Sequence, residues 1–337
     1  GYSNAQDIIK ATIDPSHVAQ KQGFWGKLFS SKKASNKELP CTINTFGFGE
    51  GHNESLLQAI AEHGRGMYAF IKDTTMISAT FAECLGGLIS VVAQNIVMRV
   101  QVMNDVKINR CLSVGLNLKA VSASQCYEVT FSDIQSEENR DVIFELSVPR
   151  CGEVKADWPL AKVTCSYKNS IVGNKNEEVS AIASVARVES KETGERNYDL
   201  DLQNNRIIAT EAMAEADNLA NAGKMDEARE RLGQAQKRLT AHEPKNKYST
   251  GLVQDIQRCA NGLRSESDYR SGGGKELKMN LQSHNVQRAV QSSAWASQEQ
   301  YATTSKIFLK NLAFVIKELD KKTRFICNFD GHNLQKQ

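Results

Sequence analysis

Nowhere does this sequence run to the roughly 18 consecutive apolar residues of a membrane span. Its most apolar window, Leu85 to Val97, is broken by Gly86, Gly87, Ser90, Gln94 and Asn95. No Cys-x-x-Cys occurs: the eight cysteines (Cys41, Cys84, Cys111, Cys126, Cys151, Cys165, Cys259, Cys327) are scattered. That scatter fits buried reduced thiols, and so a cytoplasmic protein, better than a disulfide frame or zinc site. Charge of one sign is also missing. Lys and Arg number 42 against 39 Asp and Glu, dispersed along the chain with a net charge of +3, which argues against a nucleic-acid partner.

The usual catalytic signatures are absent too. Gly47-x-Gly49-x-Gly51 follows a strand-like stretch but lacks the Lys-Ser/Thr of a phosphate loop. As a dinucleotide fingerprint its third glycine falls one residue early, and Glu50 puts a carboxylate where phosphate would sit. The six histidines include no His-Glu-x-x-His, and no Gly-x-Ser-x-Gly elbow occurs. Ser283-His284 has no recognisable acid partner. Ser136 to Asp141 lacks the spacing and glycine of a calcium loop and reads as a solvated hairpin loop. Asn53-Glu54-Ser55 is a formal glycosylation sequon, but it overlaps a helix cap. No enzyme activity is assigned.

What is present begins with a β-α-β-α run from Cys41 to Asn95. Thr42 to Phe46 is apolar and β-prone, Asn53 can cap a helix through Leu56, Leu57, Ala59 and Ile60, and Met67 to Ile71 reads as a second buried strand. Ile77, Phe81, Cys84, Leu85, Leu88 and Val92 then keep helical spacing. Alternating strands and helices predict a parallel α/β sheet. In such sheets ligands meet the C-terminal ends of the strands, which nominates Gly49, Glu50, His52 and Asn53 as an edge loop facing a partner. Two strands are few for a doubly wound domain, so the chain is expected to begin inside one.

Before this run, Ala5 to Ile13 reads as a short helix. The cluster Phe24-Trp25 to Leu28-Phe29, with lysines after it, reads as an insertion loop folding back on the core rather than a membrane-surface contact. Past Asn95 the pattern turns period-two. Strands are expected over residues 96–102, 125–131, 142–148, 160–167 and 181–188, with a weaker one over 111–118, as an antiparallel β-sandwich. From Asn204 the spacing is helical again: Ile208, Ala212, Ala216, Leu219 and Ala220, then Gly223 as a stop, then Ala228, Leu232, Ala235 and Leu239. This is a helical hairpin whose turn looks like that of a tetratricopeptide repeat, though no 34-residue repeat recurs. A third helix carries Leu252, Ile256, Cys259 and Leu263; Arg270 to Gly274 breaks the pattern, and a last helix is expected over 307–319.

Taken in order, these pieces resemble the second half of a von Willebrand factor A domain, together with the β and helical segments that come after it in intracellular eukaryotic proteins of that family. These include WAVY GROWTH-type plant RING ubiquitin ligases and proteins with hedgehog/intein-like modules. The resemblance rests on Thr45 to Gly49, Asn53 to Leu57, Gly66 to Ile71 and above all Phe81 to Gln94. Glu138 to Val142 with Val148-Pro149, Asn205-Arg206, Tyr269, Gly272-Gly273, Ser283-His284, Gln287-Arg288 and Tyr301 to Thr303 extend it.

The resemblance implies a truncated doubly wound sheet over 1–95, a β-sandwich over 96–190, helices over 191–325 and a tail over 326–337. Gly1 to Ala5 looks like the segment just after the last aspartate of the family's metal-dependent adhesion site. Every ligand for Mg would then lie upstream, with no cofactor held by this chain. The implied role is a non-enzymatic protein-binding module, or the substrate-receptor part of a RING-type ligase or of a self-processing protein. The sheet is expected to expose the side that upstream strands would cover.

Overall fold

The β-prone stretch after Thr42 does form a strand. In the computed structural model, which describes residues 42–113, 116–150, 152–188, 197–241, 246–290, 295 and 297–309, β1 (Ile43–Phe48) runs parallel to β2 (Arg65–Ile71). The expected helix over 5–13, the aromatic cluster at 24–29, the adhesion-site remnant at 1–5 and most of the expected helix over 307–319 lie outside the described residues. Between the two strands, α1 (Glu54–His63) starts at Asn53, whose side chain accepts from Leu56 N at 3.0 Å. This satisfies a backbone donor that the helix itself cannot.

A short 3-10 turn, Thr74–Met76, leads into α2 (Ile77–Ile89). The spacing through Val92 overstates this helix: Ser90 caps it, and Val91 opens β3 (Val91–Val102). The strand was hidden because Asn95 takes a left-handed φ of 52° where the pairing with a neighbouring strand shifts register. Such a bulge breaks the period-two alternation that marks a strand.

Six more strands come next: β4 (Lys107–Cys111), β5 (Asn117–Ser122), β6 (Cys126–Gln135), β7 (Phe144–Ser147), β8 (Lys155–Asn169) and β9 (Lys175–Arg187). The five-stranded antiparallel sheet has the order β5-β6-β3-β8-β9, and β4 pairs with β7 in a separate ladder. The candidate strand over 111–118 therefore joins the end of β4 to the start of β5, which have different partners. Ile108 of β4 is buried in one small core with Val100 and Ala161, where Phe144 and Leu146 of β7 also pack. The short ladder thus covers part of one face of the large sheet.

The helical part is α3 (Tyr198–Asn221), α4 (Met225–Ala241), α5 (Lys247–Asn261) and α6 (Gly274–Val286). Ala212, Ala216 and Ala220 of α3 are buried with Ala228, Leu232, Ala235 and Leu239 of α4, as the periodicity predicts. Small residues let the helix axes approach, and each buried leucine contributes about 1.5–3 kcal/mol. The break at Arg270 to Gly274 is not an end. A π turn, Tyr269–Gly273, carries the chain into α6. That helix is buried all round, with Lys275, Leu277, Lys278, Met279, Asn280, Gln282, Ser283 and His284 all inside.

Because α6 is central, the main core is continuous from β2 (Tyr68, Ala69, Phe70) through α3, α4 and α5. α6 also seals the outer edge of β2. Gln282 Oε1 accepts from Tyr68 N at 2.9 Å while its Nε2 donates to Gly66 O at 3.4 Å, and Met279 Sδ accepts from Phe70 N at 3.4 Å. The edge of the short parallel sheet at β2 is thus closed by helix side chains. Beyond β1, no strand lies among the described residues.

The loop after β6 also departs from expectation. Ser136 to Asp141 is solvated only in part: Ser136, Glu137 and Asn139 are exposed, but the side chains of Glu138 and Arg140 are 3% and 8% exposed. Arg288, just past α6, donates to both oxygens of Glu138, at 2.7 and 2.9 Å, and to Asp133 Oδ1 at 2.5 Å. Arg140 reaches Glu138 Oε1 at 2.5 Å. Burial pushes the Glu138 carboxyl up, but Arg288, and then Arg140, more than offset it, so it titrates below the ordinary range. This ionic knot fastens the antiparallel sheet to the helices.

Candidate functional site

At the C-terminal ends of β1 and β2 the chain turns through Gly49, at φ +61°, into Glu50, Gly51, His52 and Asn53. A side chain at Gly47 would collide with the His52 ring, so Gly47 is what lets the imidazole fold inward. There His52 Nε2 meets the Tyr68 hydroxyl at 2.7 Å, and the ring lies tilted against Phe70 with centroids 5.6 Å apart. Tyr68 is fully buried; that burial, with Glu54 nearby, holds its phenol above its ordinary range and therefore protonated.

From below, Lys275 Nζ donates to Glu50 O at 2.9 Å and to Arg270 O at 3.2 Å. Lys278 Nζ lies 3.0 Å from the Tyr269 hydroxyl, 3.1 Å from Asp217 Oδ1 and 3.8 Å from Glu54 Oε1. The result is a turn with a fixed inner side and a free outer one. Phe48, Glu50, Gly51 and Asn53 are exposed, while His52 is half-buried. Beside it, Phe81 of α2 stacks on Phe46 at 4.3 Å, and Phe81, Leu85, Leu88 and Ile89 leave a large part of their apolar surface in solvent.

No family model matches the chain, and no curated protein does. Among solved structures, a von Willebrand factor type A protein from Catenulispora acidiphila superposes with a TM-score of 0.50 at 16% identity, over 74% of this chain and 59% of its own. The fold is von Willebrand factor A-like. The ArnB paralog VWA2 from Sulfolobus acidocaldarius also matches (TM-score 0.37, 17% identity, 71% of this chain, 55% of its own). So does the human COPII-coat protein Sec24c (0.39, 13%, 73% and 32%). This chain spans less than two thirds of each of those proteins.

Proteins of the A-domain fold can carry a metal at this end of the sheet, but the side chains present here do not fit one. Asn53 is committed to its helix cap and His52 to Tyr68. Among the described residues no group of three His, Cys, Asp or Glu side chains could hold an ion. Of the four residues nominated from sequence, Gly49 and Asn53 shape the turn, His52 anchors it, and Glu50 stands outward with its carbonyl tied to Lys275. Tyr68 and Lys275, which hold the turn, and Lys278, which reaches Glu54 just after it, are not marked by the sequence. On sequence alone Lys275 and Lys278 look like a solvated helix face.

Ser283-His284 does have an acid nearby. His284 is fully buried; its Nε2 lies 3.1 Å from Ser297 Oγ and 3.9 Å from Asp255 Oδ2, and its Nδ1 is 3.0 Å from the Tyr301 hydroxyl. Ser297 donates directly to Asp255, and the Tyr301 hydroxyl pairs with that of Tyr248 at 2.7 Å. The serine stands between acid and imidazole rather than at the end of a relay, and it is 1% exposed. The arrangement is a satisfied buried chain that pins residues 297–301 to α5 and α6. Among the described residues no helix is long and apolar enough to cross a membrane.

Proposed function

We propose that this chain is a non-enzymatic protein-binding module, the C-terminal portion of an A-domain protein, which offers Gly49, Glu50, His52 and Asn53 to a protein partner. The observation that carries this reading is the two-sided turn: its inner side is fixed by Tyr68 and Lys275, while Glu50, Asn53 and the neighbouring Phe48 stand in solvent. A rigid, exposed turn loses little conformational freedom on docking, and an exposed phenylalanine beside it supplies apolar contact area. Its position at the C-terminal ends of parallel strands is where open α/β sheets receive ligands. Nothing in the described residues adds to the ubiquitin-ligase or intein-like alternatives.

The test is a photo-crosslinking amino acid placed at Glu50, or at Ile182 on β9 as a control, in the protein expressed in its native cells. The reading expects one recurrent adduct at Glu50, absent at Ile182 and lost in Phe48→Asp. Equal capture at both positions, or none at Glu50, overturns it.

A further inference from the structure

Where β2, β6 and α6 meet, a cavity of about 240 Å³ opens beside the ionic knot, lined by Arg65, Ser132, Asp133, Arg140, Asn285 and Arg288 among others. Its cations are unequally served. Arg288 makes bonds to both Glu138 oxygens, to Asp133 Oδ1 and to Asp133 O. Arg140, as deeply buried, has one ionic contact among the described residues, with the Glu138 oxygen that Arg288 already holds. Among the described residues its Nε has no partner, and neither does Oδ1 of Asn285, which also lines the cavity. A guanidinium carries five donors, and a buried one left with so little costs stability unless something else meets it.

Burial, followed by the like charge of Arg288, pulls the Arg140 pKa down to about 10, so the group still carries its charge at neutral pH. The wall also includes Arg65, whose backbone sits at a left-handed φ of 56°, a costly conformation for a residue with a side chain. Its carbonyl accepts from Ser132 Oγ at 3.4 Å.

We infer that this cavity is a binding site for a small carboxylate, held by the planar fork of Arg140, with Asn285 accepting a donor on the same molecule. The fork geometry of a guanidinium matches a carboxylate. The volume limits the ligand to metabolite size, below the span of ordinary drug-sized pockets. A dianion is disfavoured, because Asp133 lines the site and Glu138 stands behind it. The site is separate from the partner-binding turn and does not depend on that reading.

The test is calorimetric titration of the full chain with sodium acetate, sodium lactate and inorganic phosphate at matched ionic strength. Saturable binding of lactate more tightly than acetate is expected, since lactate adds a hydroxyl for Asn285, with phosphate weaker than both. Arg140→Gln should weaken lactate by at least about tenfold, the loss of one charge-assisted pair. Because Arg140 is buried, Asn117→Trp provides a second arm: Asn117 is an exposed residue on the cavity rim, and the bulky ring should abolish binding while circular dichroism stays unchanged. No saturable carboxylate binding, binding that survives in Asn117→Trp, or phosphate binding tighter than lactate overturns the inference.

Discussion

Gln282 and Tyr68, 214 positions apart in sequence, meet as strand edge and substitute strand: the Gln282 side chain accepts the Tyr68 amide at 2.9 Å and donates to the carbonyl of Gly66. An unpaired sheet edge is a template for unwanted pairing. Here side chains of one buried helix, the Gln282 amide and the Met279 sulfur, occupy it. The same helix supplies Lys275 beneath the exposed turn and leads directly to Arg288 in the ionic knot. α6 is thus the element on which the turn, the sheet edge and the cavity all depend.

Gln282→Leu removes both bonds while keeping much of the volume. It should leave the Tyr68 amide and the Gly66 carbonyl unsatisfied and lower stability by about 1–3 kcal/mol. Urea denaturation measures the loss, and hydrogen exchange at Tyr68 should accelerate relative to Ala69, whose amide faces β1. Unchanged exchange at Tyr68 would mean that the edge is protected by something else.

Arg288 serves Glu138 and Asp133 together, so its removal takes the ion pair from buried Asp133 and leaves Glu138 with Arg140 alone, two carboxylates against one guanidinium. Arg288→Met should cost about 3–5 kcal/mol. Adding Glu138→Gln to it should recover part of that loss, because one uncompensated charge disappears. A double-mutant cycle in urea is the measurement, and strict additivity would show that the two side chains do not interact.

Much of this architecture is written in the sequence, and the omissions share one cause. Helices α3, α4 and α5 were legible because their buried faces are alanine, leucine and isoleucine at helical spacing. α6 was not: its buried positions include Lys275, Lys278, Asn280, Gln282, Ser283 and His284, which hydropathy reads as a wet surface, and Gly272 to Gly274 reads as a stop. The cap at Asn53 was legible because capping is local. The partner of His52 lies on another strand, and Arg288 is 150 positions from Glu138, so no local pattern could pair them. Buried polar groups declare themselves only once their partners are in place.

Lys306 packs against α2 at Gly86, where an added Cβ would lie 2.9 Å from the Lys306 Cα. Its ammonium is buried, and burial, followed by the charge of Arg288, lowers its pKa to about 8. From there to the ordinary value of 10.5 the unfolded chain binds more protons than the folded one, so this group's contribution to stability rises with pH across that window. Lys306→Met should therefore stabilise the protein at neutral pH, by about 3 kcal/mol at most. The gain is full below the folded value and fades as pH climbs toward 10.5. Parallel urea titrations of both proteins across the window check this, and a pH-independent difference would contradict it.

His284 gives the opposite limb of the pH profile. Burial lowers its pKa below the ordinary 6.5, against the opposing pull of Asp255, so the folded protein keeps a neutral imidazole between Ser297 and Tyr301. Below 6.5 the unfolded chain takes up a proton that the folded one refuses. Stability is therefore intact above that value and falls as pH drops, with a slope of up to about 1.4 kcal/mol per pH unit until the folded-state pKa is reached. His284→Gln retains hydrogen-bonding capacity but cannot titrate. It should be less stable than the natural protein at about pH 7, because its amide cannot reproduce both ring contacts, yet lose less on going to about pH 5.5, above the main carboxylate range. Urea unfolding of both proteins at the two pH values decides it: equal acid losses would mean that His284 carries a proton in the fold.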